Sequence, residues 1–515
     1  MRVPDPLTPS RRGLLSSPHL GLYAALLAAL LARVWALNAH LPFSPGVDEP
    51  EVMERAVRMM KTGDLNPHFF DYPSLYMYVE AITSTLRFLY GAVQGRWAGL
   101  AQAPTEEFYL WGRAVTALLG TATVGLLYRV GLYWNRRTAL LAAAMLAVMP
   151  LHVRESHYTL TDVPSTFFVT LTLLLSLRAH ERATVWAFAL AGAAAGLAGA
   201  TKYNAGLAVI VPLIAAMMTR AASPGRGAAL AAALIGMFTA FLAAAPYSIL
   251  DLPHFLNGFA RLASEYRAPA NTSDPVWTVY LKQLRNALQV PGSVFVLGGI
   301  TLGAVRTVWG QERLKWALAL VFPLLYFYFV AHQNIVFARY LLPLVPSLAL
   351  LGAAAVVWIV DTVKRMTVSE SARQAITVLL TLLAIVPPAY TSIQFNALES
   401  RVWTTEQAYR WIVRTLPGGT TVCIEGTVTF HLPAAYRSTH VIQLRRKGDA
   451  AGFRHEGIQY LVASSQVYGP YIEHPDQFPA EYADYARLFA ETKVVAQFAP
   501  TQDHPGPELR ILRLQ

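Results

Sequence analysis

Long apolar runs dominate this chain and alternate with short polar segments. A spanning α-helix needs roughly 20 mostly apolar residues to cross about 30 Å of hydrocarbon. Runs that approach this length lie at 20–39, 108–128, 138–151, 163–177, 184–200, 204–219, 228–249, 290–308, 316–330, 339–360 and 374–393. We therefore predict a polytopic α-helical membrane protein with about eleven transmembrane helices, the first of which is retained and not cleaved as a signal peptide.

The composition agrees with this pattern. The chain has 515 residues, of which 54% are hydrophobic and only 14% are charged, and its mean hydropathy is +0.37. An ordinary soluble protein of this length carries more charge. The single cysteine, Cys423, excludes an intramolecular disulfide and a cysteine-rich metal site, and its surroundings predict a buried strand residue.

Basic residues fall in every second short loop, which the positive-inside rule makes cytoplasmic. They are Arg11, Arg12, Arg129, Arg136, Arg137, Arg178, Arg182, Arg220, Arg226, Arg306, Arg313, Lys315, Lys364, Arg365 and Arg373. The N-terminus is then inside, and an odd number of spans puts the C-terminus outside. The loops 40–107, 152–162 and 250–288 are predicted to be extracytoplasmic. Because this bias explains most of the net charge of +11, we predict no nucleic-acid partner.

The pattern changes at about residue 395, which divides a transmembrane domain, 1–394, from a soluble domain, 395–515. The stretch RVWTTEQAYRWIVRTLPGGTTVCIEG predicts an amphipathic helix, a PGG turn and a short strand. Further strands are predicted at 458–463, 493–498 and 509–514. We therefore predict a small extracytoplasmic α/β domain.

Two adjacent acids, Asp48 and Glu49, follow the first apolar run on the outer side. Asp48 and Glu51 have the spacing of a capping box, and Val52, Ala56 and Met59 predict an amphipathic helix that lies in the interface. This stretch by itself leaves a helix cap and a functional site equally open.

Other outer segments carry ionisable residues to the same face. They are Asp162, Lys202 and Arg339, each at the end of a predicted span. Asp162 has the alternative of capping its helix, and Lys202 and Arg339 have the alternative of extending to lipid headgroups. Charges at membrane depth are costly and usually mark a substrate pathway, which favours one shared site.

This set of residues suits sugar transfer from a lipid phosphate. Lys and Arg hold an anionic phosphate, while a carboxylate takes the proton from an attacking hydroxyl. A lipid-linked sugar transporter or flippase is the alternative, but such proteins often show paired halves with binding at mid-membrane. A lipid-binding scaffold would need the two cations and not Asp48.

Several segments, in this order along the chain, resemble the GT-C membrane glycosyltransferases related to protein O-mannosyltransferases and aminoarabinose transferases (glycosyltransferase family 39-like). They are GVDEPEVMERAVRMMKTGDLNPHFFDYPSLYMYVEAI, SHYTLTDVPSTFF, GLAGATKYNAGLAVIVPL, ARYLLPLVPSLALL and AYRWIVRTLPGGTTV. The resemblance covers most of the chain. It implies a GT-C fold and an inverting hexosyl- or pentosyltransferase of the cell envelope that uses a dolichyl- or undecaprenyl-phosphate sugar.

The resemblance also implies roles for single residues. The catalytic aspartate of the first outer loop corresponds to Asp48, and the second acidic position corresponds to Asp162. The donor phosphate is expected near Lys202 and Arg339. The flanking candidates for substrate binding are Glu49, Tyr72, His157, Tyr203 and Tyr340.

The chain departs from better-known relatives in its smaller outer domain and in lacking an evident set of three metal ligands. His152 and His157 are five residues apart, which favours a solvated loop over a metal site. Metal dependence stays open, with a divalent ion as the candidate cofactor. The expected partners are the polyprenyl-phosphate sugar, the membrane, and an extracytoplasmic lipid, glycan or protein acceptor.

Overall fold

The computed structural model describes residues 19–43, 46, 48–219, 225–267, 272, 274–366, 369–426, 432, 433, 435–447 and 449–514. Arg11, Arg12 and Arg220 of the charge pattern lie outside these residues. The chain forms two compact units. Unit 1 comprises Met1–Val34, Asp64–Val79 and Ala114–Ile393, and unit 2 comprises Trp35–Gly63, Glu80–Arg113 and Gln394–Gln515.

Helices make up most of the chain up to residue 399, because an α-helix satisfies its backbone N–H and C=O groups internally where no water is present. In chain order they are α1 (Leu20–Val34), α2 (Glu49–Thr62), α3 (Leu75–Val93), α4 (Tyr109–Gly131), α5 (Arg136–Ala147), α6 (Pro150–Glu155), α7 (Asp162–Arg182), α8 (Val185–Thr201), α9 (Ile210–Met217), α10 (Arg226–Ala244), α11 (Tyr247–Leu250), α12 (Leu252–Glu265), α13 (Val276–Trp309), α14 (Arg313–Ala331), α15 (Val345–Val363) and α16 (Glu370–Glu399). Short 3₁₀ helices lie at Leu100–Gln102, Thr105–Glu107, Tyr203–Val209 and Ala338–Leu344.

Seven helical segments of the described chain are long and apolar enough to cross a membrane. They are Thr105–Gly131, Asp162–Arg182, Arg226–Ala244, Val276–Trp309, Arg313–Ala331, Ala338–Val363 and Glu370–Thr415. Three shorter apolar helices are Leu20–Val34, Val185–Thr201 and Tyr203–Met217. The predicted multi-pass helical class is therefore confirmed, whereas the number of about eleven crossings stays a prediction.

Two predicted spans differ in detail from the helices that form. The run 138–151 becomes α5, whose 12 residues extend only about 18 Å at 1.5 Å per residue, before Pro150 begins α6. The run 290–308 is the second half of α13, since Gln289 (φ 60°) and Pro291 interrupt that helix. Its first half occupies the end of the predicted loop 250–288, which also contains α12, whereas α11 lies almost entirely in the predicted span 228–249.

Small residues let α8 and α10 approach closely, as the run AGAAAGLAGA suggests. A Cβ atom added at Gly192 would lie 1.8 Å from the carbonyl oxygen of Ala233, and one at Gly236 would lie 2.1 Å from that of Ala189. Neither carbonyl can move without moving its helix. The glycines therefore set the distance between the two helices.

Unit 2 contains a mixed five-stranded sheet in the order β2-β1-β3-β5-β4. The strands are β1 (Thr421–Glu425), β2 (Arg437–Val441), β3 (Tyr460–Ser464), β4 (Thr492–Phe498) and β5 (Leu509–Leu514), with the helices α17 (Thr404–Thr415), α18 (Ala450–His455), α19 (Ser465–Glu473) and α20 (Pro479–Ala490) and a 3₁₀ turn at Leu444–Lys447. β1 pairs in parallel with β2 and β3, while β5 is antiparallel to β3 and β4. The predicted small α/β domain is confirmed, and β2, with its polar sequence RSTHV, is the strand that apolar patterning missed.

Hydrophobic residues cover both faces of the central strands. Cys423 points into one apolar cluster, with Phe453 and Tyr485, and is buried as predicted, while Val422 and Ile424 belong to the cluster on the other face. Burial raises the pKa of the Glu425 carboxyl at the end of β1, although hydrogen bonds from Tyr485 and from the backbone N–H groups of Leu444 and Ser464 oppose the shift. Glu425 thus ties three segments to the end of the sheet.

The predicted outer loop 40–107 is largely helical. α2 is the amphipathic helix predicted from Val52, Ala56 and Met59, and its apolar face packs on residues of unit 2 that include Trp97 and Phe108. The 19-residue helix α3 was missed because polar residues interrupt its apolar run. The division into domains at residues 394 and 395 stays a prediction.

We predict that Gly192→Ala lowers the melting temperature of the detergent-solubilised protein, because overpacking against a fixed backbone costs about 1–3 kcal/mol. The matched control is Gly227→Ala on α10, where no heavy atom lies within 4 Å of an added Cβ atom. That control should leave the melting temperature unchanged or slightly higher, since alanine favours a helix over glycine by about 1 kcal/mol. Equal melting temperatures for the two variants would contradict the close packing of α8 on α10.

Candidate functional site

Asp162 and Lys202 come together because α7 and α8 form an antiparallel hairpin. Only Ala183 and Thr184 connect these helices, so the end of α8 returns to the beginning of α7. Asp162 is the first residue of α7, and Lys202 follows α8 with an extended backbone (φ −151°, ψ 121°). The Lys202 ammonium donates a hydrogen bond to Asp162 Oδ1 at 2.5 Å.

Arg339 completes this cluster from the 3₁₀ helix that precedes α15. Its Nε lies 3.8 Å from Asp162 Oδ2, and its guanidinium carbon lies 4.6 Å from the centre of the Phe337 ring. The three charges sum to +1. Lys202 does not extend to the surface, since its side chain is only 8% exposed, and Asp162 directs its carboxylate to the two cations.

Tyrosines form one wall of the cluster. The Lys202 ammonium lies 4.4 Å from the centre of the Tyr340 ring, an arrangement that stabilises a cation by attraction to the ring face. The Tyr266 hydroxyl donates to the Tyr340 hydroxyl at 2.9 Å, and Tyr72 lies within electrostatic reach of Tyr340. A hydrogen bond thus links two tyrosines of this wall, Tyr266 and Tyr340.

A second ion pair adjoins the cluster. Arg154 donates to Glu155 Oε1 through Nε at 2.8 Å and through a terminal nitrogen at 2.6 Å. Burial raises the pKa of the Glu155 carboxyl, and the Arg154 charge opposes this shift. Glu155 is also within electrostatic reach of Asp162 and Arg339, so the pair belongs to the same charge network.

The other flanking candidates of unit 1 make mainly structural contacts. His157 is buried, and its Nδ1 donates to the carbonyl oxygen of Val153 at 2.8 Å. Tyr203 donates to the carbonyl oxygen of Phe70 at 3.0 Å and packs edge-on against Phe259. These contacts fix the segments that flank Asp162 and Lys202.

Asp48 and Glu49 lie in unit 2, at the beginning of α2. Asp48 occupies the N-cap position, but its side chain makes no capping hydrogen bond, and Glu51 pairs with Arg55 at 2.8 Å. The capping-box alternative for this stretch is therefore wrong. Asp48 is partly exposed, whereas Glu49 is fully buried.

Glu49 forms a bidentate ion pair with Arg113, with N–O distances of 2.9 and 2.7 Å. The remaining Arg113 nitrogen donates to the carbonyl oxygens of Leu37 and Ala39 at 3.0 and 2.7 Å, and Glu49 also accepts the N–H of Gly46. Removing one partner of such a pair leaves an uncompensated buried charge. Glu49 therefore fixes the segment on either side of Asp48.

The prediction of a solvated loop for His152 and His157 is wrong, because both side chains are buried. His152 Nδ1 accepts a hydrogen bond from Arg33 at 2.8 Å, and Arg33 also donates to the carbonyl oxygens of Ala29 and Ala147. Within the described residues, no group of three His, Cys, Asp or Glu side chains is arranged to hold a metal ion.

Sequence reasoning missed Glu155, Tyr266, Arg33 and Arg113. Two of them carried a usable signal, since Arg33 and Arg113 are charges inside predicted spans, and such charges are expected to have a partner. No comparable signal marked Tyr266, which lies far from Tyr340 in sequence.

The helices and charge cluster of unit 1 and the small sheet of unit 2 belong to a membrane protein whose fold is that of the GT-C enzymes ArnT and oligosaccharyltransferase. Residues 71–251 match the family model described as dolichyl-phosphate-mannose-protein mannosyltransferase. The predicted resemblance is therefore confirmed for this segment, which contains Asp162 and Lys202. None of the curated proteins matches the sequence.

Solved structures of GT-C enzymes share the fold over nearly the whole chain. ArnT from Cupriavidus metallidurans bound to undecaprenyl phosphate is 15% identical with a TM-score of 0.57, covering 96% of this chain and 97% of that one. The apo oligosaccharyltransferase of Archaeoglobus fulgidus is 13% identical with a TM-score of 0.59, covering 97% and 77%. AglB from the same archaeon, with an inhibitory peptide and a dolichol-phosphate, is 13% identical with a TM-score of 0.57, covering 88% and 70%. At these identities the likeness establishes the fold.

Proposed function

We propose that this protein is an inverting glycosyltransferase that moves a sugar from a polyprenyl-phosphate donor to an extracytoplasmic acceptor. The observation that carries the proposal is the cluster of Asp162, Lys202 and Arg339. Its charge of +1 suits a phosphate anion. The family match at residues 71–251 and the lipid phosphates bound to ArnT and AglB point to the same donor class.

The cluster is better suited to stabilising the charge of a leaving group than to serving as a transport site. Asp162 and Lys202 lie at the termini of α7 and α8, whereas transporter sites are typically formed near the bilayer midplane by paired, broken helices. Preorganised cations stabilise charge that develops in the transition state without moving at the moment of reaction. This favours sugar transfer over flipping.

The proposed reaction is a single displacement. The acceptor hydroxyl attacks the anomeric carbon, the bond from that carbon to the phosphate oxygen breaks, and the electron pair leaves with the lipid phosphate. Lys202 and Arg339 stabilise the phosphate charge. Asp48 takes the proton of the hydroxyl, so that charge and atoms balance.

We assign the base role to Asp48 because the stretch GVDEPEVMERAV resembles the first outer loop of the family, whose catalytic aspartate corresponds to Asp48. The neighbouring acids are engaged in ion pairs, Glu49 with Arg113 and Glu51 with Arg55. Asp162 orients the two cations, and Tyr340, Tyr203, Tyr72 and His157 shape their surroundings.

We further propose that the protein lies in the plasma (inner) membrane with its N-terminus cytoplasmic and its C-terminal domain outside. The alternation of basic loops supports this orientation. The acceptor, whether lipid, glycan or protein, then reaches the enzyme from the cell envelope.

Orientation can be measured by single-cysteine labelling in a Cys423→Ala background. Gly418→Cys, in an exposed turn of the sheet domain, should react with an impermeant maleimide in intact cells or spheroplasts. Gly227→Cys, on the predicted cytoplasmic side, should react only after permeabilisation. The reverse result would overturn the orientation.

Loss of either cation should weaken donor binding. Arg339→Ala and Lys202→Ala each remove a charge-assisted hydrogen bond, for which we expect about 1–3 kcal/mol, or roughly 5- to 150-fold in Kd. Lys202→Ala should also lower the melting temperature, because Asp162 loses its nearest partner. The neutral pair Asp162→Asn with Lys202→Met should regain stability without regaining affinity. An unchanged Kd in both single variants would show that the donor phosphate does not bind at this cluster.

Asp48→Asn should reduce sugar transfer by roughly a hundredfold or more while donor binding stays largely intact, because the amide cannot accept the proton. Turnover is measured in nanodiscs with a polyprenyl-phosphate sugar, after a screen for the acceptor. Glu51→Gln, the same change one helical turn away, is the control and should retain activity. Full activity in Asp48→Asn, with matched folding, would refute its role as the base.

A further inference from the structure

A polar pocket lies at the end of α15 opposite to Arg339 and the charge cluster. It has a volume of about 380 Å³ and forms where α5 and α14 begin and α13 and α15 end. The 19 residues of α15 span about 28 Å, which is close to the thickness of the hydrocarbon core. The pocket therefore lies at the other membrane interface, on the side that the basic loops predict to be cytoplasmic.

The lining of the pocket carries more positive than negative charge. Its two acids already have partners, since Asp361 accepts two hydrogen bonds from Arg137 at 2.7 and 3.1 Å, and Glu312 pairs with Lys315 at 2.5 Å. Two further lining residues, Arg306 and Arg365, are exposed and pair with no acidic side chain that the structure describes. The lining thus has three cations against two acids, and Arg137, which neutralises Asp361 from outside the lining, raises the excess to two.

Two other features favour an anion. The indole N–H of Trp134, a lining residue, is buried and has no hydrogen-bond acceptor among the described residues. The first backbone N–H groups of α14 also face this region, where its N-cap residue, Glu312, makes no capping hydrogen bond, although the C-terminal ends of α13 and α15 oppose the dipole of α14 there. The indole N–H and the first N–H groups of α14 are therefore donors available to an anion beside Arg306 and Arg365.

The pocket is amphipathic along the direction of the helices. Leu302, Ala354 and Val357 form its wall towards the bundle, and Val305, Val308 and Trp309 continue an exposed apolar surface on α13. A soluble phosphate would use only the polar half. A lipid would place its phosphate between the arginines and its acyl chains against the apolar half.

We propose that this pocket binds the headgroup phosphate of an anionic phospholipid, held by Arg306 and Arg365. Basic pockets between helix ends on the cytoplasmic side recur as sites for such headgroups. The positive-inside rule by itself explains why basic residues lie in these loops. It requires neither a pocket nor a buried indole N–H without an acceptor. The site is separate from the proposed donor site and does not depend on the proposed function.

Thermal-shift titrations and native mass spectrometry test the proposal on the full-length protein. The probe is dioleoyl phosphatidylglycerol, added to protein in phosphatidylcholine and detergent, with inorganic phosphate and glycerol 3-phosphate as soluble probes. The variant is Arg306→Gln with Arg365→Gln. The matched control is Arg129→Gln with Arg182→Gln, which removes two exposed charges of the same predicted side that do not line the pocket.

We expect phosphatidylglycerol to raise the melting temperature of the wild type and to be retained in native mass spectra. Its apparent affinity should fall at least tenfold in the Arg306 and Arg365 variant and stay within about twofold in the control. Trp134→Phe should give a smaller loss. Equal binding by wild type and variant, an equal loss in the control, or full stabilisation by either soluble phosphate would overturn the lipid site.

Discussion

A charge inside an apolar helix bundle is tolerated only when a partner of opposite charge or a set of hydrogen bonds compensates it. In unit 1 this constraint decides where helices begin and end. Asp162 begins α7 beside the two cations, and the chain adopts an extended conformation at Lys202 so that α8 stops there. Arg33 follows the same rule with backbone carbonyl oxygens and His152. Charges that look like interruptions of apolar runs are therefore the points at which the fold is fixed.

The same compensation prepares the cluster for an anion. Asp162 cancels one of its two cations and holds both near a wall of hydrogen-bonded tyrosines, so that these three residues together keep a net charge of +1. The Asp162 carboxylate thus offsets part of the cost of burying the Lys202 ammonium. A phosphate that enters meets oriented donors, which is the condition under which electrostatic stabilisation of a leaving group is effective.

Patterning predicted the elements whose burial repeats regularly along the sequence. The apolar runs, α2 and four strands belong to this group. β2 was not predicted because it is an edge strand whose residues, RSTHV, are mostly exposed, so no apolar pattern marks it. Among site residues, Asp162, Lys202 and Arg339 were predicted from charge at span ends, and the structure brings them together. Tyr266 and Glu155 were missed because their importance arises from neighbours distant in sequence, which no periodicity encodes.

The contrast between Asp48 and Glu49 shows how far such reasoning extends. Two adjacent acids are chemically almost equivalent in a sequence, but Asp48 is an N-cap residue with a non-helical backbone (φ −101°, ψ 0°), whereas Glu49 is the first residue of α2. One of them, Glu49, is therefore directed into the interior of unit 2, where Arg113 fixes it, and the other is left at the partly exposed beginning of α2. The buried ion pair between Glu49 and Arg113 fixes the backbone next to Asp48, whose own side chain does not cap α2. Glu49 therefore contributes to any chemistry of Asp48 by positioning it.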